Sequence, residues 1–329
     1  MMHPEEKIIQ LNLVCTHMLK IRIAEIQNFS ADVVTQLRQL GTVDVMETEK
    51  HELSQCLADY DVFWFRLKFK IEEQDFPEQV RCRFILCPVT GLDHIDLKAC
   101  ERRGIQVLSL RGETQFLQRV RATAELTMAL TLGLLRKLPY AIASVNTYHW
   151  QRDLFKGHEI FEKKVGIIGM GRLGGITASY FKAFGADVYG YDIKTFDQTH
   201  CTAVDDIQTL VSMCDIVSVH VAYNESTHHL MDETIFKAMK PSAVLINTSR
   251  GGVVNSVHLL QALEQQQIAG AALDVVENEY DIAGNALIAY ARAHDNLLIT
   301  PHIGGNTWES FDKTERFLFE KLKAVVTTV

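Results

Sequence analysis

The 329-residue sequence lacks any stripe of lysines and arginines: 33 basic residues stand against 41 acidic ones, and the formal net charge is −8. Without a basic run to track phosphates, nucleic acid and anionic membrane surfaces are not expected partners. Long apolar runs are also missing. The longest, around Leu126 to Leu135, is interrupted and shorter than the ~20 residues a membrane span needs, so no transmembrane segment is expected. The seven cysteines (Cys15, Cys56, Cys82, Cys87, Cys100, Cys201 and Cys214) contain no CxxC pair and no metal-ligand spacing. Such an odd, unpatterned set reads as reduced, buried thiols, with no metal site. Repeats, low-complexity tracts and Pro/Ser-rich linkers are absent. Glu5 and Glu6 precede a short apolar stretch, the wrong order for a secretory leader, and a cytoplasmic protein is expected.

What is present is an ordinary globular composition, 47% hydrophobic and 22% charged, in a chain about twice the usual length of one domain. Two domains follow. In the first third the short apolar runs LNLVC, VDVM, DVFWF, RFILC and IQVLSL alternate with helix-like spacing such as Ala31 to Leu40. A long helical pattern from Arg119 to Lys137 reads as a connector. A second βα series then runs through KVGIIG, ADVYGYD, DIVSVHV, AVLINT, GAALDV and NLLIT. These strands are nearly continuous in apolar residues, as burial on both faces of a parallel sheet requires. From Asn306 onward an amphipathic helix, with Phe311, Phe317, Leu318, Leu322 and Val325 on its apolar side, is expected to pack back on the first domain.

The strand KVGIIG leads into Gly169-Met170-Gly171-Arg172-Leu173-Gly174 and then a helical stretch. The first glycine permits the turn, the second admits a pyrophosphate to the backbone, and the third lets helix and strand approach. The first-turn N–H groups then face the anion. The next strand ends in Asp192, where a carboxylate can accept from ribose hydroxyls and would repel a 2′-phosphate, favouring NAD over NADP.

Reduction of a 2-oxo acid needs a cation for the carboxylate and an acid for the carbonyl oxygen. Arg250 and His302 both follow apolar strands at the edge where ligands of parallel sheets bind. A carboxylate bonded to the imidazole would fix its tautomer and favour its charged form; Glu277, Glu279 and Asp281 all qualify on position.

These motifs, with DIVSVHVAYNESTHHLMD, AVLINTSRGGVVN, AALDVVENEY and ITPHIGG in order, resemble the D-isomer-specific 2-hydroxyacid dehydrogenases over nearly the whole chain. The resemblance implies two doubly wound parallel-sheet α/β domains, a Rossmann NAD-binding domain (113–302) inserted in a flavodoxin-like substrate-binding domain (1–112 and 303–329). It implies NAD as cofactor, a small 2-hydroxy or 2-oxo acid as substrate, and a homodimer formed around the Arg119 to Lys137 helix. Arg250, Glu279 and His302 take the places of its carboxylate-binding arginine, histidine partner and acid/base. Asp274 resembles the residue holding the nicotinamide carboxamide, and Arg172, Leu173, His220, Thr227, Thr248 and Gly304 match positions lining the dinucleotide.

Thr90 and Gly91 match the turn whose N–H groups receive the substrate carboxylate, while Asp93, His94 and Asp96 read as turn and cap chemistry. Arg66 and Lys68 resemble the basic pair of phosphoglycerate-specific members, implying a second anionic group on the substrate. Tyr280 departs from the family's proline after the glutamate, and Pro88-Val89 from its small residues. Glu113-Thr114 would line the cleft or cap a helix. No appended regulatory domain is expected after residue 329. On the same fold the alternative is an NAD(H)-sensing binding protein of the corepressor type.

Overall fold

The computed structural model describes residues 18–327. Five strands form the first sheet: β1 (Leu19–Ile23), β2 (Gly41–Val45), β3 (Val62–Trp64), β4 (Phe84–Cys87) and β5 (Gln106–Ser109). They lie in the order β2-β1-β3-β4-β5, all parallel, with Ile21 opposite Val43 on one side and Val62 on the other. The run LNLVC lies outside the described residues. The first strand is instead LKIRI, between β2 and β3, whose alternating charges conceal it in the sequence. Arg22 is buried there because its Nε–H donates to Thr48 Oγ1 at 2.9 Å and its Nη2–H to the Glu47 carbonyl at 3.2 Å.

The second sheet holds β6 (Lys164–Ile168), β7 (Asp187–Tyr191), β8 (Thr202–Ala203), β9 (Ile216–Val219), β10 (Val244–Asn247), β11 (Gly270–Leu273) and β12 (Leu297–Ile299). Their order is β12-β11-β10-β9-β6-β7-β8, again all parallel. The strands β9, β10 and β11 are buried at every position, the pattern of a sheet covered on both faces. Strand order reverses between β6 and β9, so the loops leaving these strands flank a crevice at the carboxyl edge. Edge strand β8 has only two residues and no apolar run to announce it.

The connector helix is Ala122–Leu135, shorter than the sequence pattern because Lys137, at φ +51°, turns the chain into a second helix, Leu138–Asn146. The last helix, Trp308–Thr327, returns to the first sheet: Leu318, Phe319 and Leu322 are buried in one core with Ile21, Ile23, Trp64 and Leu86. Each such side chain contributes roughly 1.5–3 kcal/mol on burial. The connection out of the first sheet is fastened to this helix by Lys321, whose Nζ donates to Glu113 at 2.7 Å and to the Ser109 carbonyl at 2.9 Å. The Glu113 side chain therefore binds Lys321 and does not cap the helix that follows it.

Candidate active site

The turn after β6 follows from its glycines. Gly169 has φ +92°, and a Cβ on Gly174 would lie 2.0 Å from the Gly169 carbonyl oxygen, so helix and strand meet only without side chains. Gly171 is the opposite case: a Cβ there would meet nothing within 4 Å. It precedes the helix Arg172–Ala183 and offers no side chain to cap the first-turn N–H groups. At the end of β7, Asp192 accepts from Met170 N–H at 2.8 Å and Lys194 N–H at 2.9 Å. His220, after β9, sits with Nδ1 buried and unpartnered while Nε2 contacts Ser218 Oγ at 2.8 Å; burial holds the imidazole down at a pKa of about 4, in its neutral form. An exposed pyrophosphate cradle, a carboxylate at the neighbouring strand end and an orphaned ring nitrogen at the crevice fit a dinucleotide.

Other expected lining residues have definite local partners. The guanidinium of Arg172, its own charge disfavoured by burial, turns to the carbonyls of Leu117 and Val120 at 2.9 and 2.8 Å in the interdomain connection. Leu173 is half-buried in the first helical turn. Thr227 Oγ1 donates to Ala222 O, Thr248 Oγ1 meets Thr127 Oγ1 at 2.9 Å, and Gly304 N–H donates to Asp274 Oδ2 at 2.7 Å. Burial raises the Asp274 carboxyl against the hydrogen bonds it accepts from Thr300, Ile303 and Gly304. These bonds hold the turn carrying His302, whose own N–H donates to the Asp274 carbonyl.

His302 adopts φ +53°, a left-handed conformation that a non-glycine residue holds only when its surroundings impose it. Its Nδ1 lies 2.9 and 3.0 Å from the two oxygens of Glu279. A carboxylate only accepts, so Nδ1 carries the hydrogen and Nε2 is left as the outward nitrogen. The competing acids are resolved by their contacts: Glu277 accepts from His229 at 2.6 Å and from Ser256 N–H at 3.0 Å. Asp281 has only a backbone turn contact.

Arg250, after β10, reaches the first domain. Its Nε–H donates to Asp93 Oδ1 at 2.9 Å and Nη1–H to the Ser249 carbonyl at 3.0 Å. Nη2 lies against Gly91, where a Cβ would come within 2.0 Å of it. Among the described residues, the Thr90 and Gly91 N–H groups find no acceptor. Burial alone would raise the Asp93 carboxyl, yet the Arg250 charge and hydrogen bond hold it below the usual carboxylate range.

Asp93 is thus a site residue rather than turn chemistry; the signal available was an acid two positions past a glycine turn opposite a functional arginine. Asp96 does cap its helix, accepting from Ala99 N–H at 2.9 Å. His94 is a core histidine edge-on to Phe65, held down at about 4 by burial, and it feels the charges of Asp93, Arg250 and His302.

Arg66 and Lys68, the basic pair expected to face a second anionic group, both have carboxylate partners. Arg66 forms an ion pair with the fully buried Glu315 on the last helix and stacks over Phe311, 4.0 Å from the ring centroid. Lys68 binds Glu47 at 2.6 Å and Glu49 at 2.9 Å. Carboxylates distant in sequence fold onto both cations. Tyr280 leaves half its surface exposed, and burial of the phenol together with the charges of Glu279 and Asp93 pushes its ionisation up.

Residues 128–304 match the family model for the NAD-binding domain of D-isomer specific 2-hydroxyacid dehydrogenases. The chain is 32% identical over 300 residues to a D-3-phosphoglycerate dehydrogenase of Methanocaldococcus jannaschii, an alignment covering 90% of this chain and 55% of the relative. It thus spans about half the length of such relatives. It is 32% identical to a glyoxylate reductase of Thermofilum pendens, covering 84% of this chain and 81% of that one. Among solved structures, D-lactate dehydrogenase from Aquifex aeolicus, complexed with NAD and lactic acid, superposes with a TM-score of 0.79 at 27% identity, covering 94% of this chain and 95% of the other. Family model and relatives together show that the chain belongs to the D-isomer specific 2-hydroxyacid dehydrogenase family.

Proposed function

We propose that this chain is an NAD-dependent oxidoreductase interconverting a D-2-hydroxy acid and its 2-oxo acid. The observation that carries the reading is the Arg250 guanidinium, its Nη2 edge beside the acceptor-free Thr90 and Gly91 N–H groups, together with the Glu279–His302 pair at the end of another strand of the same sheet. Arg250 and the two backbone N–H groups hold the substrate carboxylate. In reduction His302 enters as the imidazolium and gives its Nε2 proton to the C2 oxygen, leaving the neutral Nδ1–H ring that takes the proton back in oxidation; the Glu279 carboxylate holds Nδ1–H and offsets the positive charge of the imidazolium. NAD, when bound, supplies hydride exchange at C2. The first-turn N–H groups after Gly171 are suited to its pyrophosphate and Asp192 to its adenosine ribose, which selects against the 2′-phosphate of NADP.

The named relatives include enzymes of phosphorylated and unphosphorylated acids, so the acid itself is read from the site. A panel of 2-oxo acids with NADH and NADPH tests the function: turnover of at least one with preference for NADH supports it. Tight NADH binding without turnover of any acid would replace it with a sensing role. A homodimer is the proposed assembly, with Leu138, Ile142, Val145 and Trp150, all exposed, as its apolar surface. Among the described residues no single helix is long and apolar enough to cross a membrane.

A further inference from the structure

We infer that the substrate compartment selects a 2-oxo acid with one carboxylate and no second anionic group, and that Glu25 and Asp93 enforce this by filling anion positions with the protein's own carboxylates. The inference rests on the functional reading above and names the substrate class.

At the end of β3 the chain makes the kind of cradle that binds anions: two N–H groups, of Arg66 and Lys68, point at one spot. That spot is taken. Glu25 Oε1 accepts both, at 2.7 and 2.9 Å. The side chains of the same two residues are neutralised separately, Arg66 by Glu315 and Lys68 by Glu47 and Glu49. The two cations thus pair with three carboxylates, Glu315, Glu47 and Glu49, while a fourth, Glu25, fills the backbone cradle.

The Arg250 edge repeats the arrangement. One of its N–H groups is occupied by Asp93, and the Nη2 edge by Gly91 remains for a single carboxylate. The buried thiol of Cys87, at the end of β4, joins the two places. It donates to the Arg66 carbonyl at 3.0 Å and lies 3.4 Å from Nε2 of His94, the neighbour of the Asp93 that binds Arg250. The filled cradle is therefore a near neighbour of the place where Arg250 would hold a substrate carboxylate. A phosphate or second carboxylate there would face like charge in a partly desolvated cleft.

The experiment compares kcat/KM with NADH at low ionic strength for pyruvate and glyoxylate against oxaloacetate and 3-phosphohydroxypyruvate, in the wild-type chain, Glu25→Gln and Asp93→Asn. Both variants keep the hydrogen-bond acceptor and remove only the charge. The wild type should favour the single-carboxylate acids by about 10-fold or more, and each variant should move that ratio toward the dianionic acids by about 10-fold. The shift should fade as salt is added, a response that a merely structural role would not produce. A wild-type preference for the phosphorylated acid, or an unchanged ratio in both variants, overturns the inference alone. Failure to turn over any of these acids overturns the functional reading and the inference with it.

Discussion

The imidazole Nδ1 of His302 is shared almost evenly between the two oxygens of Glu279, at 2.9 and 3.0 Å, on a backbone turn held in the left-handed region. Such a pairing leaves one nitrogen for chemistry. His302→Ala should lower kcat by about 10²–10⁴-fold while the dissociation constant of NADH, read by fluorescence titration, stays within a few-fold. Glu279→Gln keeps an acceptor but loses the charge, and a fall of at least about 10-fold is expected. Loss of NADH binding in step with the rate would move His302 from acid/base to cofactor ligand.

The two ends of the glycine turn should respond to alanine in opposite ways. In Gly174→Ala the new Cβ meets the Gly169 carbonyl oxygen at 2.0 Å, so the helix must shift; a loss of about 1–3 kcal/mol is expected, seen as a lower Tm without ligand. Gly171→Ala meets no atom within 4 Å and should leave that Tm nearly unchanged. Its methyl instead intrudes where a pyrophosphate would approach, so the rise in Tm on adding NADH should shrink or vanish. Equal effects in both variants would separate the turn from dinucleotide binding.

Apolar runs and glycine spacing carried most of the sheet order and the cofactor loop into view because both are local signals. What escaped depends on partners remote in sequence. LKIRI reads as charged until Thr48 and the Glu47 carbonyl satisfy Arg22. Asp93 reads as a turn acid until Arg250, 157 positions away, reaches it across the cleft. Arg66 and Lys68 look like open cations because Glu315, Glu47 and Glu49 approach only in the folded chain. Among three acids near His302, position left the choice open and the hydrogen bonds of Glu277 to His229 and Ser256 removed one candidate. Charge compensation at long range, rather than secondary structure, was the illegible part.

Asp61 should set part of the acid stability. Burial would raise its carboxyl, but Arg81, at 2.9 Å, and Lys20 N–H, at 2.8 Å, hold it below the ordinary carboxylate value. A folded value below the unfolded one gives stability that is fully present above the ordinary value and is lost as pH falls through the lowered one. Asp61→Asn should therefore cost about 1–3 kcal/mol near neutral pH and much less near pH 2. Urea unfolding of both proteins across that range measures the difference, and a constant gap at every pH would rule out the charge as its origin.

Glu315 anchors the last helix to the first domain through Arg66, and removal of one partner leaves the other charge stranded. The carboxylate is fully buried, accepts from Ser30 N–H at 2.8 Å as well as from the guanidinium, and lies beside the Phe311 ring on which Arg66 stacks. Glu315→Ala strands a guanidinium that is only 11% exposed, and a loss of about 3–5 kcal/mol is expected by denaturant titration. Replacing both, Arg66→Met with Glu315→Leu, removes the buried charges together and should recover much of that loss, because the cost of a stranded ion disappears with the ion. Since Arg66 is spent on this pair, the double variant should keep the KM for a single-carboxylate substrate within a few-fold of wild type; a large rise in KM at unchanged stability would place the Arg66 charge on the substrate instead.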